Sequence, residues 1–277
     1  MSRIIRCTQG DDLWIAARIG RITGSNVGAL LAPATTRQST RKGIIYQAGT
    51  EAIEKADYRQ KLVVERIYGR AVNNVTTQYM KDGSDREPYA RMLYEADTQE
   101  AVELVGFALH PEWDWFGASA DGLVAADGGV ELKCPNEMTH DGYAANRDLL
   151  VQEYKGQVLG NLICFPEREW WDLVSFQPYA PDALKLLKAP RFHRSDWADT
   201  IAEIEDRAQE LNAQIEEEIA KRGLPATEWA IMPNYEKPST FKEQLRQSVA
   251  QDEALILDED IAWIQAKHAQ HTPDAQE

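Results

Sequence analysis

The chain has 277 residues and a mass of 31.3 kDa, with 43% hydrophobic and 27% charged residues, a profile suited to a globular protein with a sizeable core. It contains no run of about 18 apolar residues, and its start, MSRIIRC, lacks the regions of a signal peptide, so neither export nor a membrane span is expected. The 3 cysteines, Cys7, Cys134 and Cys164, are too few and too scattered for a disulfide framework, a Cys-x-x-Cys metal site or a four-cysteine iron–sulfur cluster, and predict a reducing, cytoplasmic setting.

Net charge is -15, from 30 basic and 45 acidic residues, which by itself argues against a nucleic-acid partner. The charge is unevenly spread: residues 1–91 carry +6, residues 92–196 carry -10 and residues 197–277 carry -11. A basic first third can meet phosphates while the acidic middle holds hard cations and the acidic tail stays solvated.

In chain order, Asp11 and Asp12 precede LWIAARIG, a short amphipathic helix ended by Gly20, and Thr23 or Ser25 is placed to cap a second helix over NVGALLA. The polar, basic stretch PATTRQSTRKG predicts a mobile loop, and Thr50 opens a longer helix ending near Tyr68 and Gly69. Ser84 to Glu87 spell a capping box ahead of a helix over PYARMLYEAD, with Pro88 in its first turn. VELVGFALH, WFGASADGLVAA and GVELKC then predict a meander of three strands, with Asp127 to Gly129 as the last turn. Helix is expected over about 138–164, strands over EWWDLVSFQPY and LKLLKAPRF, and a long helix from Trp197 with Gly223 past its end. The order is that of an α/β sandwich over residues 1–224. Pro225, Pro233 and Pro238 open an acidic, partly helical appendage over 225–277, and no internal repeat is visible.

The chemistry concentrates in the meander, where SADG is followed after eight residues by ELKCP. Side chains alternate faces along a strand, so Glu131 and Lys133 share one face while Leu132 enters the core and still offers its carbonyl oxygen. A hairpin turn folds Asp121 back beside them. Two carboxylates and a carbonyl are the hard ligands that Mg2+ or Mn2+ prefers, and a lysine beside the metal can orient or help deprotonate an attacking water. The same letters also read as a solvated Glu-x-Lys pair and a common Asp-Gly turn. Glu87 offers a further carboxylate or serves the capping box, and Gln157 reads by default as a helix-surface residue. His110, His140 and His193 have no ligand spacing.

Several ordered blocks resemble the bacteriophage lambda exonuclease family, the YqaJ-type viral recombinase nucleases of the PD-(D/E)xK superfamily. QGDDLWIAARIGRITGSNVGALL resembles the amino-terminal signature, DGSDREPYARMLY the first acidic motif, SADGLV with VELKCP the central motif, and YKGQVLGNL the glutamine helix. They span about residues 7–180, and the long helix to about 222 fits as well. The resemblance implies an α/β nuclease core, with a central mixed sheet flanked by helices and a helical C-terminal appendage.

The resemblance also implies roles. Asp121, Glu131, the Leu132 carbonyl and Glu87 would bind two Mg2+ ions, with Mn2+ as a substitute. Lys133 would serve the nucleophilic water and Gln157 would position water or the scissile phosphate. Arg18, Ser25 and Ser119 stand where the family contacts a terminal 5'-phosphate, a sound match of a guanidinium fork and two hydroxyls to a dianion. Met80 stands where the family places a wedge that splits the terminal base pair, and reads equally as a core methionine. The chain departs from the pattern after ELKCP, where Thr139 and His140 replace an expected basic residue. The implied activity is a 5'-to-3' exonuclease on linear double-stranded DNA that leaves a 3' overhang for recombination. Implied partners are double-stranded DNA ends, a single-strand annealing protein, and further copies in a homotrimeric ring. The other readings are a structure- or site-selective endonuclease of the same fold, and a non-catalytic DNA-binding scaffold.

Overall fold

The structure is a computed structural model, which describes residues 2–34, 39–41, 44–46, 51–72 and 78–229, and the side chains of all of these except 39–41, 44–46, 78–82 and 84. Two sheets carry the described body. One has the order β1 (Arg3–Ile5), β6 (Phe107–Leu109), β7 (Phe116–Ser119), β2 (Ile22–Thr23), with β2 parallel to β7 and the other pairs antiparallel. The other has the order β11 (Leu186–Lys188), β10 (Trp170–Phe176), β9 (Gly128–Lys133), β8 (Gly122–Val124), β5 (Val102–Glu103), and β12 (Phe192–His193) also pairs with β10. Only β9 and β10 are parallel in that sheet, so it is mixed, as expected.

The two-residue period of the central strands divides the core. Val130, Leu132, Val174 and Phe176 face Ala90 and Tyr94 of α4 (Gln78–Thr98). Trp171 and Leu173 belong to the larger core on the opposite side, built with α3 (Ile53–Tyr68), α6 (Arg147–Cys164) and α7 (Ala198–Ala220). Helix α7 follows the expected pattern, burying Ile201, Ile204, Ala208, Leu211, Ile215 and Ile219, and Gly223 lies past its end at φ +75°.

Several local expectations are corrected. In α1 (Asp12–Arg18), Asp11 caps through a bond from the Trp14 N–H, but neither Thr23 nor Ser25 caps α2 (Val27–Leu31), which is entered through a 3-10 turn at Gly24–Asn26. Part of the predicted mobile loop is a strand, β3 (Ser39–Arg41), paired with β4 (Ile44–Tyr46), while the rest of the stretch from residue 35 lies outside the described residues. Helix α3 begins at Ile53 and ends at Tyr68 with Gly69 left-handed; Thr50 lies outside the described residues. Ser84 to Glu87 do not cap a helix, because α4 already runs from Gln78 and carries Pro88 in its interior. Burial of Ala90 and Tyr94 outweighs the hydrogen bond that a proline cannot donate. The meander is five short strands, β5 to β9, divided between both sheets, because the chain breaks at Gly106 and at Ala120–Asp121. Its last turn is residues 125–127, two residues earlier than expected, with Ala125 at φ +50°. The helix expected over 138–164 is two, α5 (Glu137–Ala145) and α6, separated by Asn146, whose side chain accepts from the Asp148 N–H.

The body also continues past residue 224. The Trp229 ring lies 4.7 Å from the Arg21 guanidinium and 4.9 Å from that of Arg66, two groups whose pKa values burial lowers to about 10. Contacts divide the chain into Met1–Tyr235 and Glu236–Glu277, and residues from 230 onward, most of the expected appendage, lie outside those described.

Two glycine pairs with the same spacing, Gly24 with Gly28 and Gly156 with Gly160, bring α6 against the segment that carries Ser25. A Cβ on Gly160 would stand 2.6 Å from the Gly24 Cα, and one on Gly156 would stand 2.9 Å from the Gly28 nitrogen. Backbone leaves no flexible side chain to move aside, so Gly160→Ala is expected to lower stability by about 1–3 kcal/mol. Gly142→Ala, within α5 and with nothing inside 4 Å, should stabilise by about 0.5–1 kcal/mol. Urea midpoints at unchanged slope measure both.

Candidate active site

Strand β9 outruns its neighbour. β8 pairs with it only from Gly128 to Val130, so residues 131–133 keep a partner in β10 and present an open edge on the other side. Asp121, the residue before β8, fills that edge: its Oδ2 accepts the Leu132 N–H at 2.7 Å. A residue's N–H and C=O point the same way from a strand, so the Leu132 carbonyl also faces the Asp121 side. The Leu132 side chain enters the α4 core, as the alternation requires.

Glu131 projects to the opposite face and is wholly buried. Its Oε1 accepts from Lys133 Nζ at 2.6 Å and from Gln157 Nε2, and Lys133 Nζ also donates to Gln157 Oε1 at 3.0 Å. Gln157 is therefore engaged with the central motif and is not a surface residue. The other oxygen of Glu131, Oε2, accepts from Asn161 Nδ2 at 2.8 Å. Asn161 was missed as a site residue, although it lies one helical turn beyond Gln157, and an i, i+4 pair of amides in the otherwise apolar stretch from Gly156 to Cys164 was a readable signal. Tyr154, whose ring lies 4.8 Å from Lys133 Nζ, was also passed over.

Glu87 reaches the site from α4. Glu87, Ala90 and Tyr94 share one helical face, and Tyr94 fixes that face by donating from its hydroxyl to Asp172 at 2.7 Å, a carboxylate that Arg191 also holds with two bonds of 2.8 Å. Burial, then the charge of Glu131, raises the Glu87 pKa, with Arg91 and Lys133 opposing. Burial and Glu131 likewise hold Asp121 well above the carboxylate range. Burial favours loss of the Lys133 proton, but Glu131 and Asp121 outweigh it and raise its pKa, so Lys133 is a cationic donor. Burial, with Glu87 and Asp121, pushes the Cys134 thiol up to about 12.

This donor set fits a hard divalent cation: the charge of Glu131 raises the pKa values of Glu87 and Asp121 beside a backbone carbonyl, a surplus of negative charge that a cation relieves. Among the described residues no three His, Cys, Asp or Glu side chains already converge as a metal cluster, and both Glu131 oxygens are engaged by hydrogen bonds.

A second polar cluster adjoins the first. Because β2 and β7 are parallel, the segments leaving them emerge at the same end, which brings Ser25 and Ser119 together. Arg18, at the end of α1, donates to Ser119 Oγ at 3.2 Å and to Ser25 Oγ at 3.0 Å, so the three predicted residues meet. Trp14, one turn earlier, stacks 4.3 Å from the Arg18 guanidinium and donates from Nε1 to Ser119 Oγ at 2.7 Å. Trp14 was missed as a site residue; its i, i+4 spacing from Arg18 was the available signal. Burial lowers the Arg18 pKa, with Tyr58, Glu65 and Glu131 opposing. Ser119 and Asp121 are separated only by Ala120, so the two clusters share one backbone connection.

Met80 lies on α4, but its side chain is outside the described residues. His140 is a core residue: its Nε2 contacts the Leu184 carbonyl and its Nδ1 contacts Ser175 Oγ, each at 2.8 Å. His110 accepts the Glu112 and Trp113 N–H groups at Nδ1 and contacts Glu205 through Nε2. His193 is exposed on β12. Thr139 occupies the first turn of α5, its N–H bonded to Asn136 Oδ1. No helix among the described residues is long and apolar enough to cross a membrane.

Residues 13–165 match the model of the YqaJ-like viral recombinase domain. Among solved structures, the chain is similar to the alkaline exonuclease LHK-Exo of Laribacter hongkongensis, with 31% identity, a TM-score of 0.64 and coverage of 77% of this chain and 96% of that one. The same enzyme in complex with dAMP gives 30%, 0.63, 77% and 98%. A phage-related exonuclease from Haemophilus somnus 129PT, at 13% identity and a TM-score of 0.54 over 73% of this chain and 96% of that one, shares the fold. No curated protein sequence matches. With the matched segment spanning both clusters, the chain belongs to the YqaJ-like viral recombinase domain family of lambda-exonuclease-like nucleases.

Proposed function

We propose that the protein is a divalent-metal-dependent 5'-to-3' exonuclease on linear double-stranded DNA, which hydrolyses phosphodiesters from a 5'-phosphorylated end and leaves a 3' single strand for recombination by annealing. The observation that carries this reading is the shared connection Ser119–Ala120–Asp121, which ties an anion receptor of one guanidinium and two hydroxyls to a hydrolytic set of carboxylates, lysine and glutamine. A terminal phosphate held by Arg18, Ser25 and Ser119 fixes how far the strand reaches into the second cluster, and this couples cleavage to an end.

In this mechanism Asp121, Glu131, Glu87 and the Leu132 carbonyl would hold two Mg2+ ions, or Mn2+ in their place, which supply an activated water and stabilise charge on the phosphate and the departing 3'-oxygen. Lys133, kept protonated by Glu131 and Asp121, donates rather than abstracts, and orients the water or phosphate oxygen it meets. Gln157 holds the Lys133 ammonium and can turn its amide to the same oxygen. The dAMP bound by the L. hongkongensis enzyme is a mononucleotide, the product class such a reaction releases.

The reading extends to a homotrimeric ring threaded by the duplex, to transfer of the overhang to a single-strand annealing protein, and to action in the cytoplasm. These rest on the family resemblance, as does assignment of residues 225–277 to an appendage outside the nuclease core.

The test is end-labelled digestion, with Mg2+, of linear duplex bearing a 5'-phosphate, the same duplex bearing a 5'-hydroxyl, and closed circular duplex. Loss of the phosphorylated strand from its 5' end with circles intact is the expected result. Cut circles would replace the reading with an endonuclease, and retained end binding without cutting would replace it with a scaffold. Lys133→Ala should reduce cleavage by about 10²-fold or more while end binding persists; an equal loss of binding would overturn its role. Arg18→Ala should cut the preference for phosphate over hydroxyl by roughly tenfold to a hundredfold, the equivalent of about 1.5–3 kcal/mol. Mg2+ should raise the Tm of the metal-free protein, by about 2.7 kcal/mol of added stability at a hundred times its Kd, and calorimetry reads this without DNA.

A further inference from the structure

Glu131 has about four acceptor positions on its two oxygens. Lys133 and Gln157 take the two on Oε1, and Asn161 takes one of the two on Oε2. The position left over is on the oxygen that Asn161 holds. Asn161 is wholly buried, on a helix whose neighbouring positions are Val158, Leu159, Leu162 and Ile163, and its own Oδ1 has no hydrogen-bond partner. The amide cannot be turned round to satisfy Oδ1, because that would set a carbonyl oxygen against the Glu131 carboxylate. A leucine of similar volume would avoid the unsatisfied oxygen but would leave Glu131 Oε2 without its donor, so the amide is kept for what it does to the carboxylate.

We infer that Asn161 is a positioning residue for the metal site, holding the Glu131 carboxylate so that its free Oε2 position is presented to a divalent cation. It does this as a neutral donor, without adding positive charge beside the carboxylates, so the site retains the negative charge that attracts the cation. Lys133 holds the other oxygen but contributes a charge that opposes cation binding. The inference rests on the metal-dependent reading above.

The experiment is calorimetric titration of the full-length, metal-free chain with Mn2+ and with Mg2+, for wild type, Asn161→Leu, Asn161→Ala and Asn212→Leu. Asn212, on α7, also has a buried Oδ1 without a partner, so it controls for loss of an amide of this kind elsewhere. Both Asn161 variants should bind the cation about 10- to 100-fold more weakly, the usual cost of losing a group that orients a metal ligand. The Mg2+ concentration for half-maximal cleavage should rise by the same factor, with most of the wild-type kcat recovered at saturating Mg2+, and Asn212→Leu should match wild type. Unchanged cation affinity in the Asn161 variants, or an equal loss in Asn212→Leu, would overturn the inference and leave the metal-dependent reading standing. Failure of both Asn161 variants to fold, read by circular dichroism, would assign Asn161 a structural role instead. If wild type itself takes up no cation and cuts no DNA, the metal-dependent reading fails, and the inference falls with it.

Discussion

One carboxylate with no exposure to solvent organises the described body. Glu131 lies within the central sheet, and a buried ionised group is tolerated only where hydrogen bonds and opposite charge replace its hydration. The neighbouring structure supplies that replacement from two directions: Lys133 from the same strand, and Gln157 and Asn161 from successive turns of α6. Helix α6 must therefore approach β9 in one register, and the aliphatic residues around its amides must pack to keep that register. The cost of burying Asn161 with an unpaired oxygen, about 1–3 kcal/mol, belongs to this arrangement.

The same helix fixes the neighbouring cluster of Arg18, Ser25 and Ser119. Gly156 and Gly160, which flank Gln157 and precede Asn161, allow the backbone at Gly24 and Gly28 to approach, and Ser25 lies between those two glycines. Ser119 is carried by β7, which leads through Ala120 directly into Asp121. The two clusters are thus joined twice, by a covalent connection and by a backbone crossing too close for side chains. Joints of this kind have little freedom to slide, which is what a nuclease needs if its terminal contact is to set the position of cleavage.

The charge distribution is consistent with this division of labour. The second cluster uses Arg18 from the basic first third, where the guanidinium meets hydroxyls. The three carboxylates lie close by, with Glu131 raising the pKa values of Glu87 and Asp121, and Asp121 and Glu131 come from the acidic middle third. A net charge of -15 therefore does not oppose binding to nucleic acid, because the charges that face a phosphate are the local ones and the rest are screened over about a Debye length.

The sequence by itself determined what depends on periodicity and near neighbours. Alternation placed Glu131 and Lys133 on one face with Leu132 on the other, the apolar spacing of α7 and the left-handed glycine after α3 were readable, and the ordered motifs carried the family. The capping box at Ser84 to Glu87 was misread because the same letters suit a helix interior whose face is selected by Ala90 and Tyr94 against the sheet. The three-strand meander was misread because no local signal says that Ser119 and Gly122 belong to different sheets. Only the tertiary structure decided that β9 outruns β8 to open an edge for Asp121, that parallel β2 and β7 bring Ser25 to Ser119, and that Asn161 reaches the second oxygen of Glu131. Each is a contact between residues distant in sequence. Such contacts are fixed by which burial and charge compensation the whole chain can satisfy together, and no local pattern encodes that choice.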